Sequence, residues 1–140
     1  MDIISRLKES LDNSTYAREN EKEVIQAFKR LDVKVSKVVE EFFLNFAGPF
    51  WEETLGMEFF DIVDDVNIET VTNECRKEHL FPKQYLVLTE MTANEVIVLN
   101  TFNDKVYRVD FEGGDKMLLT EQLKEEWESF EKFLVSYFNL

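Results

Sequence analysis

Three short segments in the second half of the chain limit what it can fold into. They read QYLVLT at residues 84–89, EVIVLN at 95–100 and DKVYRVDF at 104–111. Each is rich in β-branched, leucine or aromatic residues, which suit a pleated, partly buried surface. The spacers Thr92-Ala93-Asn94 and Thr101-Phe102-Asn103 have hairpin lengths, too short for the crossover that parallel neighbours need. An antiparallel meander follows. Ile97 and Val98 sit in one unbroken apolar run, so the middle strand is expected to be covered on both faces. Arg108 alternates with Tyr107 and Val109, so one face of the third strand is expected to be partly exposed.

The first half of the chain has a different period. A short helix is expected over residues 3–11, ended by the turn formers Asp12-Asn13-Ser14-Thr15. A second helix fits residues 20–31, where Val24, Phe28 and Leu31 share one face and Ile25 widens it. Ser36 reads as an N-cap for a third helix running to about Phe46. There Val39, Phe42, Phe43 and Phe46 form a core stripe, with Glu40, Glu41 and Asn45 outside it. Gly48 can take positive φ and Pro49 forbids further helix. Phe50 and Trp51 follow this break. They either close over the core or line a groove.

Residues 52–78 carry nine acids against two bases. An apolar island at 57–63 reads as an edge strand, ended by Asp64-Asp65 and Asn67, and a short helix fits 67–78. Gly113-Gly114 opens a loop. A last helix is expected from Thr120 to about Phe138, with Thr120 as cap and Glu121 at the positive end of the dipole. Leu123, Trp127, Phe130, Leu134 and Tyr137 would give it a sheet-packing face, broadened by Phe133. The fold class is α+β, in one domain: N-terminal helices, a small antiparallel β-sheet meander, and a C-terminal helix packed on the sheet.

The chain has 140 residues, 13 of them Phe, and 44 % are hydrophobic, enough for a single real core. The net charge of −13 repels phosphate backbones, and no basic cluster offsets it, so direct nucleic-acid binding is excluded. Cys75 is the only cysteine, which fits a reducing, cytoplasmic setting. The N-terminal MDIISRLKES has no long apolar run after a basic start, so no signal peptide is expected there, and no stretch has the length of a membrane span. Asn13-Ser14-Thr15 matches a glycosylation acceptor, read here as chance.

No residue set reads as catalytic, cofactor-binding or metal-binding. His79 is the only histidine, and Cys75 could share its helical face, but two soft ligands are short of a zinc site. Asp61, Asp64 and Asp65 match no calcium loop, and read as solvated turn residues or contacts for a basic partner. Gly113-Gly114 lacks the Gly-Lys-Ser/Thr of a phosphate loop. Ser14, Ser36, Ser129 and Ser136 have no visible base. A small enzyme or ligand-binding domain would need a polar cleft gathering His79, Cys75 or the acids around Asp64. The expectation is a protein that is not an enzyme.

Several stretches carry a family likeness. Residues 25–33 read IQAFKRLDV, followed by Val35-Ser36. Residues 41–48 read EFFLNFAG, and 127–134 read WESFEKFL. The order and character of these parts resemble the SMI1/KNR4 family, also called the SUKH superfamily, over residues 21–137. Asp32 stands where that family prefers Gly, Val35-Ser36 replaces Leu-Pro, Ala47-Gly48 replaces Asn-Gly, and Glu23 lies near the family's Glu. The resemblance implies a non-enzymatic binding role without cofactors. Bacterial members are immunity proteins (antitoxins) that bind and neutralise a cognate toxin domain, often a nuclease, and fungal members are intracellular adaptors or scaffolds.

A nuclease presents basic groups, which an acidic partner can occupy. The expected partner is therefore a basic toxin protein, with no nucleic acid or membrane, bound by a monomer. The candidate contact is Phe50 and Trp51, rimmed by Glu52, Glu53, Asp61, Asp64 and Asp65, an aromatic anchor in a charged rim. A second candidate is the exposed face of the meander around Glu90, Glu95, Tyr107 and Arg108.

Overall fold

A computed structural model describes residues 2–11 and 13–140, without the side chains of Asn13 and Ser14. The expected turn at Asp12 and the side chains of the first two residues of the glycosylation triplet lie outside what is described. The architecture is α+β: N-terminal helices, a small antiparallel sheet and C-terminal helices.

Helix α1 spans Ile3–Ser10, where the Asp2 carboxylate accepts from the Ser5 amide at 2.8 Å and Ile3, Ile4 and Leu7 are buried. A single helical turn, α2 (Asn13–Tyr16), precedes α3 (Glu21–Leu31). Val24, Ala27, Phe28 and Leu31 form the buried stripe of α3. It ends at Asp32, in the left-handed region (φ 58°), a helix terminus that normally favours glycine. Ser36 caps α4 (Lys37–Asn45) by accepting from the Val39 amide at 3.3 Å, and Val39, Phe42 and Phe43 are buried.

After α4 the chain makes a hairpin, β1 (Phe50–Glu52) against β2 (Met57–Phe59), turning through Gly56 at φ 64°. The expected strand over 57–63 is thus only its first half. It is also not an edge. Phe59 bridges Thr89, the Phe60 amide donates to the Leu88 carbonyl at 2.8 Å, and the Glu90 amide to the Glu58 carbonyl at 3.2 Å. Gly48 is required for a different reason than expected. Its backbone is not left-handed; a Cβ there would meet the Phe50 ring at 2.9 Å.

Helix α5 (Ile68–Glu78) is capped by Asn67, which accepts from the Thr70 amide at 2.8 Å. The meander follows as β3 (Tyr85–Val87), β4 (Glu95–Asn100) and β5 (Val106–Asp110), antiparallel in the order β3-β4-β5. Thr72 of α5, buried, accepts the Val87 amide at 2.9 Å, so a helix side chain satisfies the free edge of β3. Beyond β5, the Asp110 carboxylate accepts from the Glu112 and Gly114 amides at 2.9 and 3.1 Å. These bonds start α6 (Gly114–Leu119) where the sequence reading placed a loop.

The long C-terminal helix does not form. Thr120 ends α6 instead of starting a helix, Glu121 is left-handed (φ 60°), and α7 spans only Phe130–Tyr137, capped by Ser129. The intervening chain runs beside β5: the Val106 amide donates to the Trp127 carbonyl at 3.0 Å and the Trp127 amide to the Val106 carbonyl at 3.1 Å. A helix over 120–129 would have left the edge of β5 unpaired, with only Leu123 and Trp127 as apolar cover.

Alternation along the strands splits the core in two. Leu86, Leu88, Ile97, Leu99 and Val106 face one cluster, together with α1, α3, α4, the hairpin and α7. Val87, Val96, Val98 and Val109 face the other, with Cys75, Phe81 and Leu118 from the α5 and α6 side. β4 is covered on both faces, as its unbroken apolar run required. Phe59 lies among the rings of Phe42, Phe50, Phe133 and Tyr137, with centroids 5.2–5.6 Å away. Among the described residues, no helix is long and apolar enough to cross a membrane.

Candidate protein-interaction surface

The hairpin β1–β2 has two unlike faces because its side chains alternate. Phe50 and Phe59 are cross-strand partners and both are fully buried. Trp51 and Glu58 are the next pair, and they point the other way. Trp51 is 54 % exposed. It borders a shallow hollow shared with Glu52, Glu53, Thr54, Phe138 and Asn139. The hairpin beneath it is anchored by Tyr137, whose hydroxyl proton lies between the carbonyls of Met57 (2.8 Å) and Phe50 (3.0 Å). Burial pushes that phenol well above its ordinary pKa.

Carboxylates gather around Glu58, the cross-strand partner of Trp51. Partial burial raises the pKa of Glu58, and the neighbouring charges of Glu90 and then Asp64 raise it further. Like charges within electrostatic reach disfavour ionisation, so the three carboxylates are close enough to sense one another. Glu90 is held in place by its backbone bond to Glu58 and by the Thr92 hydroxyl, which donates to its carboxylate at 3.2 Å. Among the described residues, no lysine or arginine pairs with Glu58, Glu90 or Asp64.

The residues expected to contact a partner therefore divide. Trp51, Glu52 and Glu53 are on the hairpin, and Asp64 and Asp65 are exposed in the loop after it. Phe50 is no contact residue: it belongs to the aromatic core. Asp61 is none either. It is buried against Arg18, both side chains at most 2 % exposed. Arg18 also donates to the carbonyls of Phe43 and Phe46 at 2.9 Å each, so the pair ties the end of α4 to the segment after β2. Desolvation raises the pKa of Asp61 against the opposing pull of Arg18 and the Ile62 and Val63 amides.

The sequence reading missed Glu58, and placed Glu90 elsewhere. The signal was present in part: Gly56 between two three-residue apolar-polar-apolar or mixed segments fits a hairpin, which pairs Glu58 with Trp51. Nothing local brings Glu90 to them. The second expected surface, the meander face, does not exist as one patch. Tyr107 is 8 % exposed on the second face. Arg108 lies on the other, 3.9 Å from Glu95 and 4.0 Å from Glu126, with its guanidinium 6.0 Å from the Trp127 ring centre.

Cys75 and His79 are set in packed surroundings. Burial pushes the Cys75 thiol up to about 11, with Glu74 and Glu78 adding to it, so it is protonated at neutral pH. His79 packs on Phe111, ring centres 4.4 Å apart. Among the described residues no three His, Cys, Asp or Glu side chains are grouped to hold a metal ion. Phe102 is more exposed than Trp51, at 81 %, but its hollow mixes Lys34 and Lys83 with Asp32 and has no field of one sign.

No protein-family model matches this chain, and no curated protein matches it.

Proposed function

We propose that this chain is an immunity protein of the SMI1/KNR4 type, which neutralises a cognate basic toxin domain, a nuclease, by stoichiometric binding. The observation that carries the reading is Trp51: a half-exposed indole on a hairpin fixed by Tyr137, opposite Glu58, whose carboxylate senses Glu90 and Asp64. A rigid aromatic anchor loses little entropy on binding. Surrounding carboxylates steer a basic partner and compete for groups that would otherwise hold phosphates. The net charge of −13 acts in the same direction. The backbone at Asp32 adds support for the family resemblance, because the position where that family prefers Gly has φ 58° here.

The partner is found by pull-down of the tagged protein from cells carrying its native gene neighbourhood, then titrated by calorimetry. Trp51→Ala is expected to weaken binding by about 2 kcal/mol or more, and Glu58→Lys with Glu90→Lys to slow association and flatten its salt dependence. Unchanged affinity in both variants, with circular dichroism showing intact folds, removes this surface. Recovery of only acidic partners removes the toxin reading.

A further inference from the structure

The second face of the meander holds a polar hollow that the partner surface does not use. Tyr85, Asn100 and Tyr107 form its floor, and Lys105, Glu121 and Glu125 its mouth, enclosing about 280 Å³. The floor is built from buried groups: Tyr85 is 3 % exposed, Asn100 6 % and Tyr107 8 %. Tyr85 and Asn100 are cross-strand partners, so the sheet register holds both. Asn100 Oδ1 accepts the Phe102 amide at 3.0 Å. Its Nδ2 has no acceptor among the described residues, and the Tyr107 hydroxyl has no partner among them. The Tyr85 hydroxyl reaches only the Leu118 carbonyl, at 3.4 Å. Neither the Asn100 amide nitrogen nor the Tyr107 hydroxyl is sealed off from the hollow, so both have hydrogen-bonding capacity open to an occupant.

The mouth is divided in charge. Lys105 pairs with Glu125 at 3.6 Å, which leaves Glu121 without an ion-pair partner among the described residues. Tyr85 feels that carboxylate: burial raises its phenol pKa, and Tyr107 and Glu121 raise it further. The Tyr85 and Tyr107 rings stand 6.4 Å apart at 87°, an edge-to-face pair that fixes where their hydroxyls lie. The hollow is smaller than a site for a drug-sized molecule, roughly 300–1,000 Å³.

The geometry points to a binding site for a small zwitterion, a free amino acid, on the second face of the meander. Its ammonium group sits against Glu121. Its carboxylate accepts from Asn100 Nδ2 and the Tyr107 hydroxyl, with Lys105 supplying positive charge. The site is independent of the toxin-binding reading, and neither stands or falls with the other.

Calorimetric titration of the intact protein with each standard amino acid tests it, with ethanolamine and acetate as probes carrying one charge only. At least one amino acid is expected to bind in the millimolar range or tighter, and both control probes more weakly. Glu121→Gln, at an exposed position, and Tyr107→Phe are each expected to weaken it about tenfold. Thermal unfolding without ligand shows whether each variant is folded, and if Tyr107→Phe is not, Glu121→Gln decides alone. No binding by any amino acid, equal binding of acetate, or an unchanged affinity in Glu121→Gln overturns the assignment.

Discussion

The two faces of the β1–β2 hairpin differ as much as any two regions of this molecule. The inner face, Phe50 and Phe59, sits in a packed aromatic cluster with Phe42, Phe133 and Tyr137. The outer face, Trp51 and Glu58, is open and carries unpaired negative charge. Adjacent residues of the same chemical type have opposite roles because a strand alternates. The inner aromatics hold the hairpin rigid, and that rigidity is what makes the outer indole useful as an anchor.

The contrast implies graded effects on stability, measurable by denaturant unfolding. Phe50→Ala is expected to cost about 3–5 kcal/mol, through lost burial and a cavity among rings. Arg18→Met is expected to cost about 3–5 kcal/mol, since it strands Asp61 without its partner. Adding Asp61→Asn in the same chain is expected to recover part of that loss, and no recovery would mean that Arg18 acts through the α4 carbonyls alone. Tyr137→Phe leaves the carbonyls of Met57 and Phe50 without their donor and is expected to cost about 1–3 kcal/mol. Trp51→Ala is expected to change stability by no more than about 0.5 kcal/mol. A large loss from Trp51→Ala would erase the distinction between the two faces.

The smallest expected effect is a pH dependence on the outer face. Glu58 has a folded pKa above its ordinary 4.5, so the folded state holds its proton more tightly than the unfolded one. Its favourable contribution is complete below 4.5 and is lost as pH rises through the raised folded value. Glu58→Gln is therefore expected to flatten the fall in melting temperature across that window, and an unchanged profile would show that neither partial burial nor the charges of Glu90 and Asp64 hold the Glu58 proton.

Much of the fold followed from local patterns. The stripes of α3 and α4, the Ser36 cap and the three meander strands could be placed from periodicity and capping chemistry alone. The expected C-terminal helix was half wrong for a physical reason. Residues 120–129 have a helix-compatible stripe, yet the open edge of β5 is a non-local partner that a one-dimensional pattern does not contain. The candidate site was half readable for the same kind of reason. Trp51 and the hairpin acids were in view. Asp61 looked like one more surface acid until Arg18, 43 residues earlier, was seen to bury it, and Glu90 reaches Glu58 only through the continuation of β3.

By itself, the sequence determined the helices α3 and α4, the three strands of the meander and their antiparallel order, and a net charge of −13. Those depend on side-chain period, capping groups and charge count, all of which are local or additive. The tertiary structure alone decided which acids are buried and which are free, which of two adjacent aromatics points outward, and where hydroxyl and amide groups from distant strands converge on a hollow. Those outcomes depend on contacts between residues far apart in the chain, and burial changes the energy of a carboxylate or a ring more than its identity does.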